Sequence, residues 1–139
     1  MLVYLHVPFC ARRCSYCDFA IAVRRATPSA GFVEAFEREW RQRLLHPAWA
    51  DSTTVRTIYL GGGTPSRLDP GALGDLVGIM TADRNLVEGA EVTLEANPDD
   101  VTPAKATAWS RAGINRISLG VQSFSPSVLA WMHRTHQAD

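Results

Sequence analysis

Val55-Arg56-Thr57-Ile58-Tyr59-Leu60-Gly61-Gly62-Gly63-Thr64-Pro65-Ser66-Arg67-Leu68-Asp69-Pro70 changes character twice. Val55 to Leu60 is rich in β-branched and aromatic residues and reads as a strand. The glycine triplet breaks it. Asp69 then stands where a helix N-cap belongs, with Pro70 at the first helical position. Leu73, Leu76, Val77 and Met80 share one face of the helix that follows.

The same grammar extends in both directions. Leu2 to Val7 is an earlier strand, ended by Pro8. Thr27-Pro28-Ser29 opens a helix in which Phe32, Phe36, Trp40 and Leu44 recur every four residues, stopping before Pro47. Glu91 to Ala96 is a third strand. Thr102-Pro103 repeats the cap-plus-proline start, and Gly113 closes that helix. Ile114 to Val121 is a fourth strand, and Ser125-Pro126 opens a fourth helix through Val128, Leu129 and Met132.

Four strand–helix units with short connections imply parallel strands with helices packed outside them. A flavodoxin-like open sheet and a β/α barrel both satisfy that order. In either, the loops at the carboxyl ends of the strands carry function. A closed eight-stranded barrel takes about 250 residues, and four units leave an unpaired edge. The expectation is one domain over residues 1–139 that forms the N-terminal part of a longer protein.

Composition narrows the function classes. Fourteen basic residues balance fourteen acidic ones, which lacks the electrostatic footprint of a nucleic-acid binder. Arg24–Arg25 and the group Arg38, Arg41 and Arg43 are local clusters, read as a solvated helix face and its approach. No apolar run nears the roughly 20 residues of a membrane span. His6 and Pro8 interrupt the apolar N-terminus too early for a signal-peptide core, and a cytoplasmic location is expected.

All three cysteines, Cys10, Cys14 and Cys17, lie within eight residues directly after the first strand. An odd, tightly spaced set is a poor disulfide framework, and clustered thiols read as metal or cluster ligands. Three thiolates on one loop suit three irons of a [4Fe–4S] cube, leaving the fourth iron free for a small molecule. The competing reading is a zinc-stabilised interaction module with His6 as fourth ligand. The x3/x2 spacing differs from paired zinc knuckles, and no second Cys/His pair follows. The bland reading of His6 is a hydrogen-bonded strand residue.

The remaining strands also end in residues suited to chemistry. The second leads to Gly61-Gly62-Gly63-Thr64-Pro65, where backbone can approach a ligand closely. It is no P-loop, because no Gly-Lys-Ser/Thr follows. The third delivers Glu95, Asn97 and Asp99, and the fourth Gln122 and Ser123. Four such loops at one end of a sheet build a single site.

Tyr4-Leu5-His6-Val7-Pro8-Phe9-Cys10-(x3)-Cys14-Ser15-Tyr16-Cys17-Asp18-Phe19 resembles the opening of radical S-adenosylmethionine (SAM) proteins. More narrowly, it is similar to the family of oxygen-independent coproporphyrinogen III oxidases and the related haem chaperones of the HemW type. Gly61 to Ser66, Leu94 to Pro98 and Ile117 to Phe124 match three further family blocks in order, so the likeness covers nearly the whole chain. It implies a partial (β/α)6 barrel, of which these are the first four βα units. It also implies a [4Fe–4S] cluster on Cys10, Cys14 and Cys17 and SAM on the open iron, cleaved by one electron to methionine and a 5′-deoxyadenosyl radical.

Carried over position by position, the resemblance assigns SAM contacts to Tyr4, Tyr16, Gly62, Gly63, Thr64, Glu95, Gln122 and Arg134. Chemically, Glu95 can accept from an ammonium or ribose hydroxyl, Gln122 can bond ribose, and Arg134 can pair with a carboxylate. The implied partners are a flavodoxin- or ferredoxin-like electron donor and, in the full-length protein, haem and a haem acceptor. The oxidase branch usually carries a further cysteine two residues after the third ligand. Phe19 stands there, which favours the chaperone branch, with radical decarboxylation of coproporphyrinogen III as the alternative.

Overall fold

A computed structural model describes residues 1–137. Its principal sheet has four parallel strands, β1 (Leu2–Val7), β4 (Thr54–Gly62), β5 (Asn85–Ala96) and β6 (Arg116–Leu119), in the spatial order β1-β4-β5-β6. Between them run the helices α1 (Ser29–Leu44), α2 (Pro47–Ala50), α3 (Pro70–Thr81) and α4 (Pro103–Arg111), with α5 (Pro126–Trp131) after β6. Each new strand joins the same edge, so the sheet has no point at which the winding reverses. A doubly wound flavodoxin-type sheet requires such a reversal. Of the two architectures open to the strand–helix order, the barrel type is the one formed.

The two faces of the sheet differ as that architecture demands. Val3, Leu5 and Val7 of β1 are buried, whereas the alternating Leu2 and Tyr4 are exposed. Pairing places Leu5 beside Leu60, Leu60 beside Leu94 and Leu94 beside Ile117, a row on the helix-covered face. The first three are buried, and Ile117 on the edge strand is 41% exposed. The opposite face carries Tyr4, Tyr59, Thr93 and Arg116 in register.

The α1 stripe is core, as its spacing predicts. Phe36 and Trp40 are buried, and Phe32 and Leu44 pack against the same cluster. Trp40 meets Trp49 of α2 edge-on with ring centroids 5.9 Å apart, and Phe36 lies tilted against Trp40 at 5.8 Å. Helix α3 contributes Leu73, Leu76, Val77 and Met80 to the core. Thr102 caps α4 by accepting from Lys105 N at 3.2 Å. Asp69 occupies the N-cap of α3 without a side-chain cap bond, and its backbone N–H instead donates to Ser29 Oγ at 3.1 Å, tying α3 to the start of α1.

Several boundaries differ from the sequence reading. Gly61 and Gly62 continue β4 rather than breaking it, because both pair with β1. Strand β5 begins at Asn85, six residues early, where Asn85 and Leu86 pair with Thr54 and Val55 around a register shift. Strand β6 is shorter than expected at both ends. Ile114 closes α4 through its N–H to Trp109 O, and Gly120 leaves the ladder with its N–H on Ala96 O. A second parallel pair, β2 (Phe9–Cys10) with β3 (Ala22–Val23), escaped the sequence reading because two residues show no periodicity.

Leu60 is fully buried between the helices and its row neighbours. Leu60→Ala is expected to lower unfolding free energy by about 2–5 kcal/mol, read from urea denaturation midpoints at unchanged m-value.

Candidate functional site

The site is assembled where β1, β4, β5 and β6 end. The cysteine loop is an excursion closed at its base. Ala22 N donates to Pro8 O and Arg24 N to Cys10 O, both at 2.8 Å, so β3 returns alongside β2. Cys10 is buried at the start of the loop, and Cys14 and Cys17 are half-buried on the excursion, linked by Cys17 N to Cys14 O at 3.2 Å. His6 is bound to this loop as a hydrogen-bonded strand residue. Its Nε2 donates to Ala20 O at 2.8 Å, so that nitrogen is committed to the backbone. Among the described residues, no group of three or more His, Cys, Asp or Glu side chains converges to hold a single metal ion.

The end of β4 locks against this loop. Gly63 N donates to Val7 O at 2.7 Å. A Cβ on Gly62, where φ is +113°, would stand 2.6 Å from His6 Nδ1, and one on Gly63 would stand 2.8 Å from the Pro8 carbonyl carbon. The glycines are therefore required by strand-to-loop packing. Thr64 follows them, buried, and its hydroxyl donates to Cys10 Sγ at 3.4 Å. Burial pushes the Cys10 thiol above its ordinary value. The Thr64 hydroxyl and the Arg67 guanidinium pull it down, and the neighbouring Cys17 and Cys14 thiols add to the rise.

Glu95 joins two strands. Its Oε2 accepts from Gly62 N at 2.9 Å and its Oε1 from the Tyr59 hydroxyl at 2.8 Å. Tyr4 stacks on Tyr59 with centroids 5.8 Å apart and lies 60% exposed on the open face. All three tyrosines titrate above the usual phenol value. For Tyr59 the largest cause is its hydrogen bond to Glu95. For Tyr4 it is burial, then the Glu95 charge. For Tyr16 it is burial, opposed by Arg134 and reinforced by Cys14.

Arg134 sits across the strand ends. Its Nη2 donates to Asn97 Oδ1 and to Gly120 O, each at 2.8 Å, while its buried Nε–H has no partner among the described residues. Gln122 is exposed, holds a positive φ of 70° and brings its amide nitrogen against Gly120. Arg134 reaches Tyr16 and Asn97, and Glu95 reaches Gly62 and Tyr59, but no direct bond joins the two groups. Beneath them Ser66, fully buried, donates to Asp100 Oδ2 at 2.6 Å and accepts from Asn97 N at 3.3 Å.

Sequence reasoning missed Tyr59 and Ser66. The signal for Tyr59 was its position two residues before Gly61 on the strand face shared with Tyr4. Ser66 closes a matched block, but nothing local pointed to its bonds, because its partners lie 31 and 34 residues away.

The donor set fits an iron–sulfur cluster with a small ligand beside it. Three soft thiols share one loop, a hydroxyl already bonds one of them, and a buried guanidinium N–H lacks an acceptor.

The pattern of the radical SAM superfamily matches residues 4–139. The chain belongs to that superfamily. It is 38% identical to the haem chaperone HemW of Escherichia coli over 135 residues, which covers 96% of this chain and 35% of that protein. It is 42% identical to the haem chaperone HemW of Mycobacterium tuberculosis over 139 residues, covering 96% of this chain and 34% of the relative. Among solved structures, coproporphyrinogen III oxidase (HemN) from Escherichia coli, a radical SAM enzyme, superposes with a TM-score of 0.84 at 27% identity, over 98% of this chain and 31% of that one. The chain thus spans about a third of the length of these relatives. Members of this superfamily in general use SAM and a [4Fe–4S] cluster, and the fold here is that of the radical SAM barrel in its first part. Among the described residues, no helix is long and apolar enough to cross a membrane.

Two outcomes test this geometry. Gly62→Ala places a side chain at a left-handed φ against the His6 ring, so a loss of more than about 1 kcal/mol of stability is expected from thermal or urea unfolding. A phenol whose folded pKa lies above its unfolded value stabilises the fold fully below that unfolded value, near pH 10. The contribution is lost as pH rises through the folded pKa. Glu95→Gln should therefore move two of the three tyrosines, Tyr59 and Tyr4, to lower pH in a 295 nm titration while leaving Tyr16 in place.

Proposed function

We propose that this chain is the cluster- and SAM-binding part of a haem chaperone of the HemW type, acting in haem metabolism. The observation that carries the reading is the cysteine loop itself, held at the strand ends by Thr64 on Cys10 and by the glycine end of β4. Identity to several proteins named haem chaperone HemW, at 36–42% in three of them, supports it.

In this reading Cys10, Cys14 and Cys17 hold the cluster, and Thr64 steadies the buried ligand, Cys10. A cluster bound there would, once reduced, supply the one electron for reductive cleavage of SAM. Arg134, its guanidinium held by Asn97 and Gly120 and its Nε–H unpaired, would pair with the SAM carboxylate. Glu95 keeps lone pairs for an ammonium or hydroxyl beyond its bonds to Gly62 and Tyr59. Gly62 and Gly63 offer backbone to the methionine part, and Gln122 offers its amide to ribose. Tyr4 and Tyr16 provide aromatic surface on either side. Haem, a haem acceptor protein and an electron-carrier protein are the partners of the whole protein. Residues 1–139 are its N-terminal part, consistent with the half-exposed Ile117 and Leu119 on edge strand β6.

The solved relative named coproporphyrinogen III oxidase shares the fold and keeps radical decarboxylation as a second reading. Phe19, where the oxidase branch usually has a cysteine, weighs against it. Anaerobically reconstituted full-length protein should contain iron and sulfide, bind haem and leave coproporphyrinogen III unchanged by mass spectrometry. Appearance of protoporphyrinogen IX would overturn the chaperone reading, and zinc in place of iron and sulfide would overturn the cluster. Replacing Cys10, Cys14 or Cys17 by Ala should abolish the cluster's visible absorbance.

A further inference from the structure

Helix α5 closes in a Schellman motif. His133 N donates to Ala130 O at 3.0 Å and Arg134 N to Leu129 O at 2.9 Å, with His133 at φ +55°. That turn sends the chain back over the strand ends, and the next three residues each grip a different place there. Arg134 Nη2 holds Gly120 O and Asn97 Oδ1. Thr135 Oγ1 donates to Asp99 Oδ2. His136 Nε2 donates to Val121 O at 2.9 Å. The segment clasps the ends of β5 and β6 together. Arg134 is already read as a SAM contact, whereas His136 has had no role.

The carbonyl that His136 takes sits in an unusual turn. Val121 O also accepts from Ser123 N at 2.9 Å, across Gln122 at φ +70°. A bond of this span around a residue of positive φ is the rare, strained form of γ-turn. Glycine enters that region freely, and glutamine does not. Such backbone persists only where its surroundings over-determine it. Arg134 fixes the Gly120 carbonyl before the turn, and His136 fixes the Val121 carbonyl within it.

The ring is committed to that one bond. It is only 9% exposed, and a carbonyl can only accept, so the neutral ring carries its proton on Nε2. Nδ1 is left as a buried acceptor with no partner among the described residues. Burying an unmet acceptor is costly, and the bond to Val121 is what the ring sets against it.

We propose that His136 is a positioning residue for SAM, acting through Val121 O to hold Gln122 in the positive-φ turn that presents its amide to ribose. It rests on the reading of Gln122 as a ribose contact. With the His136 bond in place the turn is preorganised for the ligand. Without it Gln122 relaxes to a commoner φ and its amide leaves the site.

The test uses anaerobically reconstituted full-length holoprotein and SAM itself. Affinity is read by equilibrium dialysis, with iron and sulfide determined on every sample. His136→Leu and His136→Met remove the donor but keep apolar bulk. Each should weaken SAM binding about tenfold with iron and sulfide unchanged. His136→Gln returns an N–H near the Nε2 position and should bind within about twofold of wild type. In a Gln122→Ala background, His136→Leu should cost less than about twofold more, because its effect runs through Gln122. Wild-type affinity in the Leu and Met variants would overturn the proposal. So would a Gln variant as weak as they are, or a tenfold loss that persists in the Gln122→Ala background. Unfolding or loss of iron in both apolar variants would overturn it too, by making the bond a support of the fold. Wild type that holds its cluster but binds no SAM would instead overturn the SAM reading of this chain.

Discussion

The backbone of Gly62 and Gly63 lies so close to His6, Pro8 and Phe9 that no side chain fits between them. This contact fixes where the cysteine loop leaves the sheet. It brings Thr64 to Cys10 and presents Gly62 N–H to Glu95. Strand β1 carries the loop, β4 the glycines and β5 the carboxylate, so one close approach coordinates three strand ends. A parallel sheet supplies such ends together by construction, because every strand finishes on the same side. Without the close approach the ends would be neighbours but not a site.

Glycine's role is sharper here than ligand access. A glycine triplet after a strand reads equally well as a tight turn or as a surface for a ligand. Two of the three residues stay in the β-ladder, and the steric demand comes from the protein's own preceding strand. Glu95 likewise has an internal duty, holding Tyr59 and Gly62. Residues that resemblance assigns to a cofactor thus also hold the protein's own frame at the strand ends. Substitutions at these positions will mix structural and functional losses unless a readout such as the tyrosine titration separates them.

The alternation of apolar stripes made the four principal strands and the longer helices legible, because burial of one face imposes a period. The cap-plus-proline pairs at Asp69-Pro70 and Thr102-Pro103 marked two helix starts to the residue, although only Thr102 closes its cap through the side chain. What stayed hidden had no period or depended on distant partners. The β2–β3 pair is two residues long, and α2 spans only Pro47–Ala50. Bonds such as Ser66 to Asp100 or Arg134 to Asn97 exist only after the crossovers bring remote segments together. The cysteine triad was legible because its three residues lie within eight positions, whereas Thr64, whose hydroxyl bonds Cys10, lies 54 residues away.

Charge follows the same logic of local segregation within a neutral whole. Equal numbers of acids and bases say nothing about where they stand. On α1, arginines meet glutamates one turn away and the charges cancel at the surface. Around the cysteine loop the guanidiniums are bound by carbonyls, which orient them without neutralising them. Such bonds hold these long side chains near one geometry. A field fixed beside buried Cys10 also offsets part of the burial cost of a thiolate there, since Arg67 already lowers that thiol's pKa.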